Sequence, residues 1–260
     1  MKVALVQLAS GTDPAINRDL VAARLKAVRP GADLVVLPEA TMADFGPPDL
    51  DLRRVAEPLD GPFVALLAEH ARRLDATVVA GMFERIDALT RPFNTLVVIS
   101  PDGSLVTTYR KIHLYDSFGY RESDRLSPGP VAPVVIDVAG LRVGLMTCYD
   151  VRFPELARLL VDQGADVLAV PAAWVAGEGK LAHWRTLLVA RAVENTVYVL
   201  GTGQGGQRYT GHSLVADPRG SIVVEASGGN ETILAACDRS VIERTRETNP
   251  SLANRRIRLR

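Results

Sequence analysis

The sequence contains very little cysteine. Only two of its 260 residues are cysteines, Cys148 and Cys237, and they lie far apart in the chain. Their number and spacing argue against a disulfide-rich secreted scaffold and against the paired cysteine motifs of structural zinc sites. Two isolated thiols fit a reducing compartment, so we expect the protein to be cytoplasmic.

The sequence also lacks an excess of charge, since 30 Lys and Arg residues balance 30 Asp and Glu residues. A balanced chain has no general electrostatic attraction to nucleic acid or to an anionic membrane, and we expect neither as a partner. No apolar run approaches the roughly 20 residues that a membrane-spanning helix needs. The apolar run in the first ten residues, MKVALVQLAS, is too short for a signal peptide and predicts a first buried strand.

What the sequence does contain is a repeated order of segments. KVALVQL and GADLVVLPEA in the first half match RVGLMTC and GADVLAVPAA in the second. Two further pairs follow in the same order, ATVVAGMF with NTVYVLGT and NTLVVISPDGSLVTTY with HSLVADPRGSIVVEA. Apolar strands interleaved with helices predict an α/β layered sandwich, whereas a TIM barrel would need eight βα units. We therefore expect one domain, residues 1–260, made of two related halves.

Local sequence patterns predict three helices and one hairpin within these two halves. Thr12 or Asp13, followed by Pro14, predicts a helix that runs to about Val28. Gly61-Pro62 predicts a second helix, and PELARLL predicts a third directly after the segment around Cys148. The turn PDG between two apolar runs predicts a β-hairpin in the first half.

Three side chains with chemical potential occur where the matching half carries a neutral residue. The pairs are Cys148 and Leu8, Glu39 and Ala172, and Lys111 and Gly228. Taken singly, a buried thiol, a solvated glutamate and a surface lysine are ordinary features. Two of the three, however, directly follow the carboxyl ends of predicted strands, where open α/β sheets place their reactive groups. We therefore expect these three side chains to meet in one site.

Together the three residues suffice for nucleophilic catalysis. A thiol becomes a strong nucleophile only as the thiolate, and Glu39 can accept its proton. The positive charge of Lys111 can lower the thiol pKa and stabilise the oxyanion of a tetrahedral intermediate, with the backbone N–H of Tyr149 as a second donor. Attack on an amide carbonyl would expel ammonia and leave a thioester, which water would then hydrolyse. The three residues thus predict an amidase.

Three segments in this order, LVVLPEA, YRKIHLYD and TCYDVRFPE, resemble the motifs of the nitrilase superfamily of carbon–nitrogen hydrolases. These enzymes use a Glu–Lys–Cys triad, and the resemblance covers almost the whole chain. It implies a four-layer αββα sandwich, homodimers or larger homo-oligomers, a small amide as substrate, and neither cofactor nor metal. The segment ESDRLSPG is similar to the one that carries a second glutamate of the family. The resemblance therefore implies that Glu122 positions the substrate and holds Lys111.

The segments CYDVRFPE, KIHLYD and AHW are most similar to the Nit subgroup, which includes ω-amidases and amidases of deaminated glutathione. The resemblance implies a substrate that carries a carboxylate. Guanidinium groups suit bidentate contact with a carboxylate, and three arginines are candidates for it: Arg121, Arg152 and Arg208. Trp174 and the pair Lys180-Leu181 depart from the subgroup pattern, and we expect them to shape the acyl pocket.

Several alternatives stay open at this point. The same triad serves N-carbamoyl amide hydrolysis, and the fold could also bind acyl amides without turnover or supply ammonia to a separate synthetase. His113 lies close to Lys111 and is an alternative base for the thiol, although the family comparison makes it a structural residue. The glycine-rich stretch 201–206 is a weak phosphate motif because no helix pattern follows it.

Overall fold

The structure is a computed structural model that describes residues 1–257, so the last three residues of the predicted domain lie outside the described residues. Within that range the strands are β1 Lys2–Gln7, β2 Leu34–Val36, β3 Thr77–Glu84, β4 Phe93–Ile99, β5 Leu105–Arg110, β6 Asp116–Ser117, β7 Tyr120–Arg121, β8 Val135–Val138, β9 Leu141–Leu145, β10 Val167–Ala172, β11 Tyr198–Gly203, β12 Leu214–Ala216, β13 Ile222–Glu225 and β14 Glu231–Ala236. The helices are α1 Pro14–Ala27, α2 Pro62–Leu74, α3 Pro154–Asp162, α4 Lys180–Asn195 and α5 Arg239–Thr248. None of these helices is long and apolar enough to cross a membrane.

Two six-stranded sheets carry the predicted duplication. One sheet has the order β14-β1-β2-β3-β4-β5, and the other has the order β8-β9-β10-β11-β12-β13 when it is taken in the same direction. In each sheet the three strands that alternate with helices are parallel, and an antiparallel hairpin follows them. The helices α1 and α2 of the first half correspond to α3 and α4 of the second. The predicted α/β sandwich of two related halves is confirmed.

The alternation of side chains along β1 shows how the layers are stacked. Val3 and Leu5 belong to a buried cluster that also contains Leu145 of the second sheet, so the two sheets face each other. Ala4 and Val6 belong to a second cluster, which lies between the first sheet and its helices. Successive residues of a strand point to opposite faces, and here both faces are buried. The order of layers is therefore helices, sheet, sheet, helices.

The helix starts follow the expected physical chemistry. The carboxylate of Asp13 accepts hydrogen bonds from the backbone N–H groups of Ala15 and Ile16, at 2.8 and 3.4 Å, so Asp13 is the N-cap of α1. Pro62 and Pro154 occupy the first positions of α2 and α3, where a missing N–H costs nothing. The predicted hairpin is also present, as β4 and β5.

Candidate active site

The nucleophile candidate Cys148 lies at a sharp bend of the backbone. Strand β9 ends at Leu145, and Cys148 opens a short 3-10 helix, Cys148–Arg152, with a φ of 48°. A residue other than glycine seldom adopts this left-handed conformation, and such strain concentrates at functional sites. Asp150 stabilises the bend, because its carboxylate accepts the N–H of Thr147 at 2.9 Å. The bend brings the buried thiol of Cys148 to the wall of a cavity.

Glu39 lies just beyond the carboxyl end of β2 and is almost fully buried. One carboxylate oxygen accepts the backbone N–H of Ala173 at 2.7 Å, and the other lies 2.9 Å from the ammonium of Lys111. The residue after it, Ala40, also has a positive φ, of 55°. The side chain of Gln204 donates to the carbonyls of Glu39 and Ala40 at 3.0 and 3.1 Å, which holds this strained turn in place.

Lys111 joins the two glutamates. Its ammonium lies 2.9 Å from Glu39 and 2.8 Å from Glu122, and only 1% of its side chain is exposed. Glu122 also accepts the backbone N–H of Tyr115 at 2.6 Å. Burial alone would lower the pKa of Lys111, but the charges of Glu122 and Glu39 outweigh it and raise that pKa well above its ordinary value. Lys111 is therefore a permanent cation next to the thiol.

Asn94 is a fourth member of this cluster that sequence reasoning missed. Its side-chain amide donates to Glu39 at 2.7 Å and to Glu122 at 3.0 Å. A hydrogen-bond donor between two carboxylates reduces their repulsion without adding charge. The predicted hairpin contained the information that locates Asn94. Thr95 pairs with Arg110, so the next pair toward the open end of the hairpin is Asn94 with Lys111.

The electrostatics of the cluster disfavour the free thiolate. Burial raises the pKa of Cys148 well above its ordinary value, and the carboxylate of Glu39 raises it further, while the charge of Lys111 opposes both. Burial also raises the pKa of Glu122, against the effect of Lys111. A carboxylate beside such a thiol can accept its proton as the sulfur attacks.

A cavity of about 370 Å³ opens onto these groups. Glu39, Lys111, Glu122 and Cys148 all line it, as sequence reasoning expected, and so does Trp174. The side chain of Tyr149 is not among the lining residues; its ring packs edge-on against Tyr115 and Phe153, with centroids 5.1 and 5.3 Å away. The role of the Tyr149 backbone N–H as an oxyanion donor therefore stays a prediction.

The three candidate arginines have different surroundings. Arg121 is 70% exposed in its side chain, lies 3.4 Å from Asp124 and is not a lining residue. Arg208 lines the cavity but is held by Asp44, at 2.5 Å. Arg152 lines the cavity with its guanidinium 5.1 Å from the centre of the Trp174 ring, and its buried Nη2 has no hydrogen-bond partner within residues 1–257.

His113, the alternative base, points elsewhere. Its Nδ1 lies 2.8 Å from a carboxylate oxygen of Asp150, and its ring stacks on Phe153 with centroids 3.8 Å apart. The same carboxylate accepts the hydroxyl of Tyr109 at 2.6 Å. His113 is not a lining residue of the cavity. The geometry places it as a support for the bend that carries Cys148.

Gly81 lies very close to the turn after β2, and a larger residue at this position tests how that turn is held. A Cβ on Gly81 would lie 2.6 Å from the Cα of Glu39 and 2.7 Å from the N of Ala40, and backbone atoms cannot yield that space cheaply. We expect Gly81→Ala to lower the free energy of unfolding by about 1–3 kcal/mol and to reduce kcat, measured by thermal unfolding and turnover. Gly229→Ala, where no atom lies within 4 Å of the added Cβ, is the matched control. Equal effects of the two changes would contradict the expectation.

Comparison with known proteins gives a consistent result. Residues 2–247 match the family model described as carbon-nitrogen hydrolase. A hydrolase of Mycobacterium tuberculosis is 42% identical over 98% of this chain and 95% of that protein. The deaminated glutathione amidase of Escherichia coli O157:H7 is 39% identical over 86% of this chain and 85% of that protein. The omega-amidase NIT3 of Saccharomyces cerevisiae is 36% identical over 99% of this chain and 94% of that protein.

Solved structures agree with the sequence comparisons. Nit3 of Saccharomyces cerevisiae, described as a member of branch 10 of the nitrilase superfamily, superposes with a TM-score of 0.88 at 35% identity, over 99% of this chain and 97% of that chain. A mutant of the amidase from Nesterenkonia sp. AN1, which carries acrylamide added to its active-site cysteine, superposes with a TM-score of 0.80 at 26% identity, over 95% of this chain and 97% of that chain.

Proposed function

This chain belongs to the carbon–nitrogen hydrolase family, in the Nit subgroup of the nitrilase superfamily, and from that membership we propose a residue-level mechanism and a substrate class. The protein is an amidase that hydrolyses C–N bonds other than peptide bonds. Its nucleophile is Cys148, its base is Glu39, and its oxyanion is stabilised by Lys111. The observation that carries this proposal is the buried cluster in which Lys111 contacts both Glu39 and Glu122 at the cavity wall beside Cys148.

In the first half of the reaction, Glu39 takes the proton of Cys148 as the sulfur attacks the amide carbon. The negative charge that develops on the carbonyl oxygen is stabilised by Lys111 and by the N–H of Tyr149. The protonated Glu39 then gives its proton to the nitrogen, and the C–N bond breaks to release ammonia or an amine. The product of this half is a thioester on Cys148, and the former thiol proton leaves on the released ammonia or amine.

In the second half, the same carboxylate of Glu39 takes a proton from water, which attacks the thioester carbon. Collapse of the second tetrahedral intermediate breaks the C–S bond, and the thiolate of Cys148 recovers the proton. Glu122 keeps Lys111 charged and fixed through both halves, which is what the raised pKa of Lys111 supports. A buried, two-sided salt bridge holds the ammonium more rigidly than a single one.

The proposed substrate is a small amide that carries a carboxylate. Arg152 is the group proposed to bind that carboxylate, because it lines the cavity and its buried Nη2 has no hydrogen-bond partner within residues 1–257. Trp174, whose ring supports the guanidinium, forms the adjacent wall. A single domain over residues 1–260, a cytoplasmic location and a homodimer or larger homo-oligomer belong to the same proposal.

A small panel of substrates tests the function. We expect release of ammonia from 2-oxoglutaramate, or of the amine from deaminated glutathione, and expect Cys148→Ser to abolish it. Arg152→Met should raise KM for both and leave a simple aliphatic amide unaffected, because only the carboxylate contact is removed. Turnover of an N-carbamoyl amino acid alone would keep the mechanism and contradict the substrate class. Full activity in Cys148→Ser would contradict the mechanism.

A further inference from the structure

Lys180, the first residue of α4, is a second cation at the cavity of the proposed active site. Its backbone carbonyl accepts the indole N–H of Trp174 at 2.9 Å, which fixes where the side chain starts. Its ammonium lies 3.7 Å from the centre of the Phe118 ring and 3.2 Å from the hydroxyl of Tyr115. No carboxylate within residues 1–257 lies in salt-bridge distance of it.

The other charged groups around the cavity already have ion-pair partners. Glu39 and Glu122 share Lys111, and Arg208 is paired with an aspartate. Within the described part of the chain this leaves Arg152 and Lys180 without a carboxylate. Burial lowers the pKa of Lys180, and the charge of Arg152 lowers it further, which indicates that the two cations are close enough to repel each other.

Trp174 contacts both residues. Arg152 lies over its ring, and its N–H holds the carbonyl of Lys180. Aromatic rings stabilise a cation less than a carboxylate does, so such an ammonium can exchange its ring contacts for an anionic ligand at small cost. Phe118, on which the ammonium of Lys180 rests, is 70% exposed at the turn between β6 and β7. Lys180 therefore lies toward the solvent side of the cavity.

Resting on the amidase function proposed above, we propose that Lys180 is a specificity-determining residue that binds a second negatively charged group of the substrate. The enzyme then prefers amides with two carboxylates, one on Arg152 and one on Lys180, over amides with one. The alternative is that Lys180 only attaches the β6–β7 hairpin to α4. In that case its removal would affect all substrates equally.

Two matched substrates separate these possibilities: the C5 amides of 2-oxoglutarate with glycine and with ethanolamine. They have nearly the same size and differ in whether the far end is a carboxylate or a hydroxymethyl group. We expect the wild-type enzyme to favour the glycine amide in kcat/KM by about tenfold. Lys180→Met should abolish that preference through KM, and Lys180→Arg should retain most of it. The control is Lys26→Met, an equal loss of charge on the exposed side of α1.

Binding measured in the Cys148→Ala background makes the result independent of turnover. Calorimetric Kd values for the two amides should differ in that background, and the difference should vanish when Lys180→Met is added. A difference in Kd without turnover of either compound would support Lys180 and contradict the proposed amidase substrate class. Equal Kd values, or an equal loss for both amides in Lys180→Met, would overturn the assignment of Lys180.

Discussion

Replacing Glu39 by Gln is expected to lower kcat by roughly 10²- to 10⁴-fold, the usual contribution of a positioned base. The same change should make the thiol of Cys148 more acidic. The carboxylate of Glu39 raises the pKa of that thiol, and the charge of Lys111 lowers it. Without the carboxylate the thiolate loses a repelling charge and keeps an attracting one, so its pKa falls. The variant would thus have a more readily ionised nucleophile and a much lower turnover.

Alkylation of the thiol by iodoacetamide measures the second effect directly. Its rate, followed by intact-protein mass spectrometry from about pH 6 to about pH 10, reports the thiolate fraction. At the same pH, we expect Cys148 to be alkylated faster in Glu39→Gln than in the wild type. Cys237 is an internal reference, because burial raises its pKa to about 12 and Glu39 does not contribute to that shift. An unchanged alkylation rate together with retained turnover would show that another residue is the base.

The residues of the proposed triad could be found from sequence because each lies in a segment with its own signal. Glu39 and Cys148 directly follow apolar strand patterns, and Lys111 ends a hairpin. Their partners could not be found in the same way. Gln204 holds the carbonyls of Glu39 and Ala40 from the other half of the chain, across 165 and 164 residues. A contact of that kind exists only once the two sheets face each other.

The alignment of the two halves could also be predicted only in part from the sequence. The repeated segments ATVVAGMF and NTVYVLGT pair Thr77 with Thr196, because both follow a helix and precede an apolar run. In the structure the helix ends align instead: Asp75 and Thr196 are the left-handed residues that close α2 and α4, and the strands begin two residues later, at Thr77 and Tyr198. The error is two residues. Because side chains alternate with a period of two, it left every residue on its correct face and did not disturb the predicted layers.

Replacing Asn94 by Asp is the second change with a large expected effect, and it tests how the two glutamates coexist. The substitution keeps the size of the side chain but sets a third carboxylate against Glu39 and Glu122, with Lys111 as the shared cation. Like charges this close cannot all ionise when buried. We expect kcat to fall by roughly 100-fold or more, since a positioned donor is lost and the cluster rearranges.

The pH dependence of stability identifies the cause. Burial already raises the pKa of Glu122. The negative charge of a third carboxylate would raise the pKa values of the carboxyl groups in the cluster further. A carboxyl with a raised folded pKa binds a proton on folding, so its cost is absent below the unfolded pKa and grows as pH rises toward the folded pKa. The loss of stability in Asn94→Asp, about 3 kcal/mol at neutral pH, should therefore shrink as pH is lowered toward about 4.

Two controls separate charge from lost hydrogen bonds in this experiment. Asn94→Ala removes both donations to Glu39 and Glu122 without adding a charge, so its loss of stability should depend much less on pH. Asn230→Asp adds the same charge on the exposed surface and should change the free energy of unfolding by less than about 0.5 kcal/mol.

If Asn94→Asp and Asn94→Ala had the same pH profile, repulsion among the carboxylates would not be the cause, and Asn94 would matter only as a donor. If neither lowered kcat, the geometry of Glu39 would not depend on Asn94, and Lys111 with the N–H of Ala173 would suffice to hold the base.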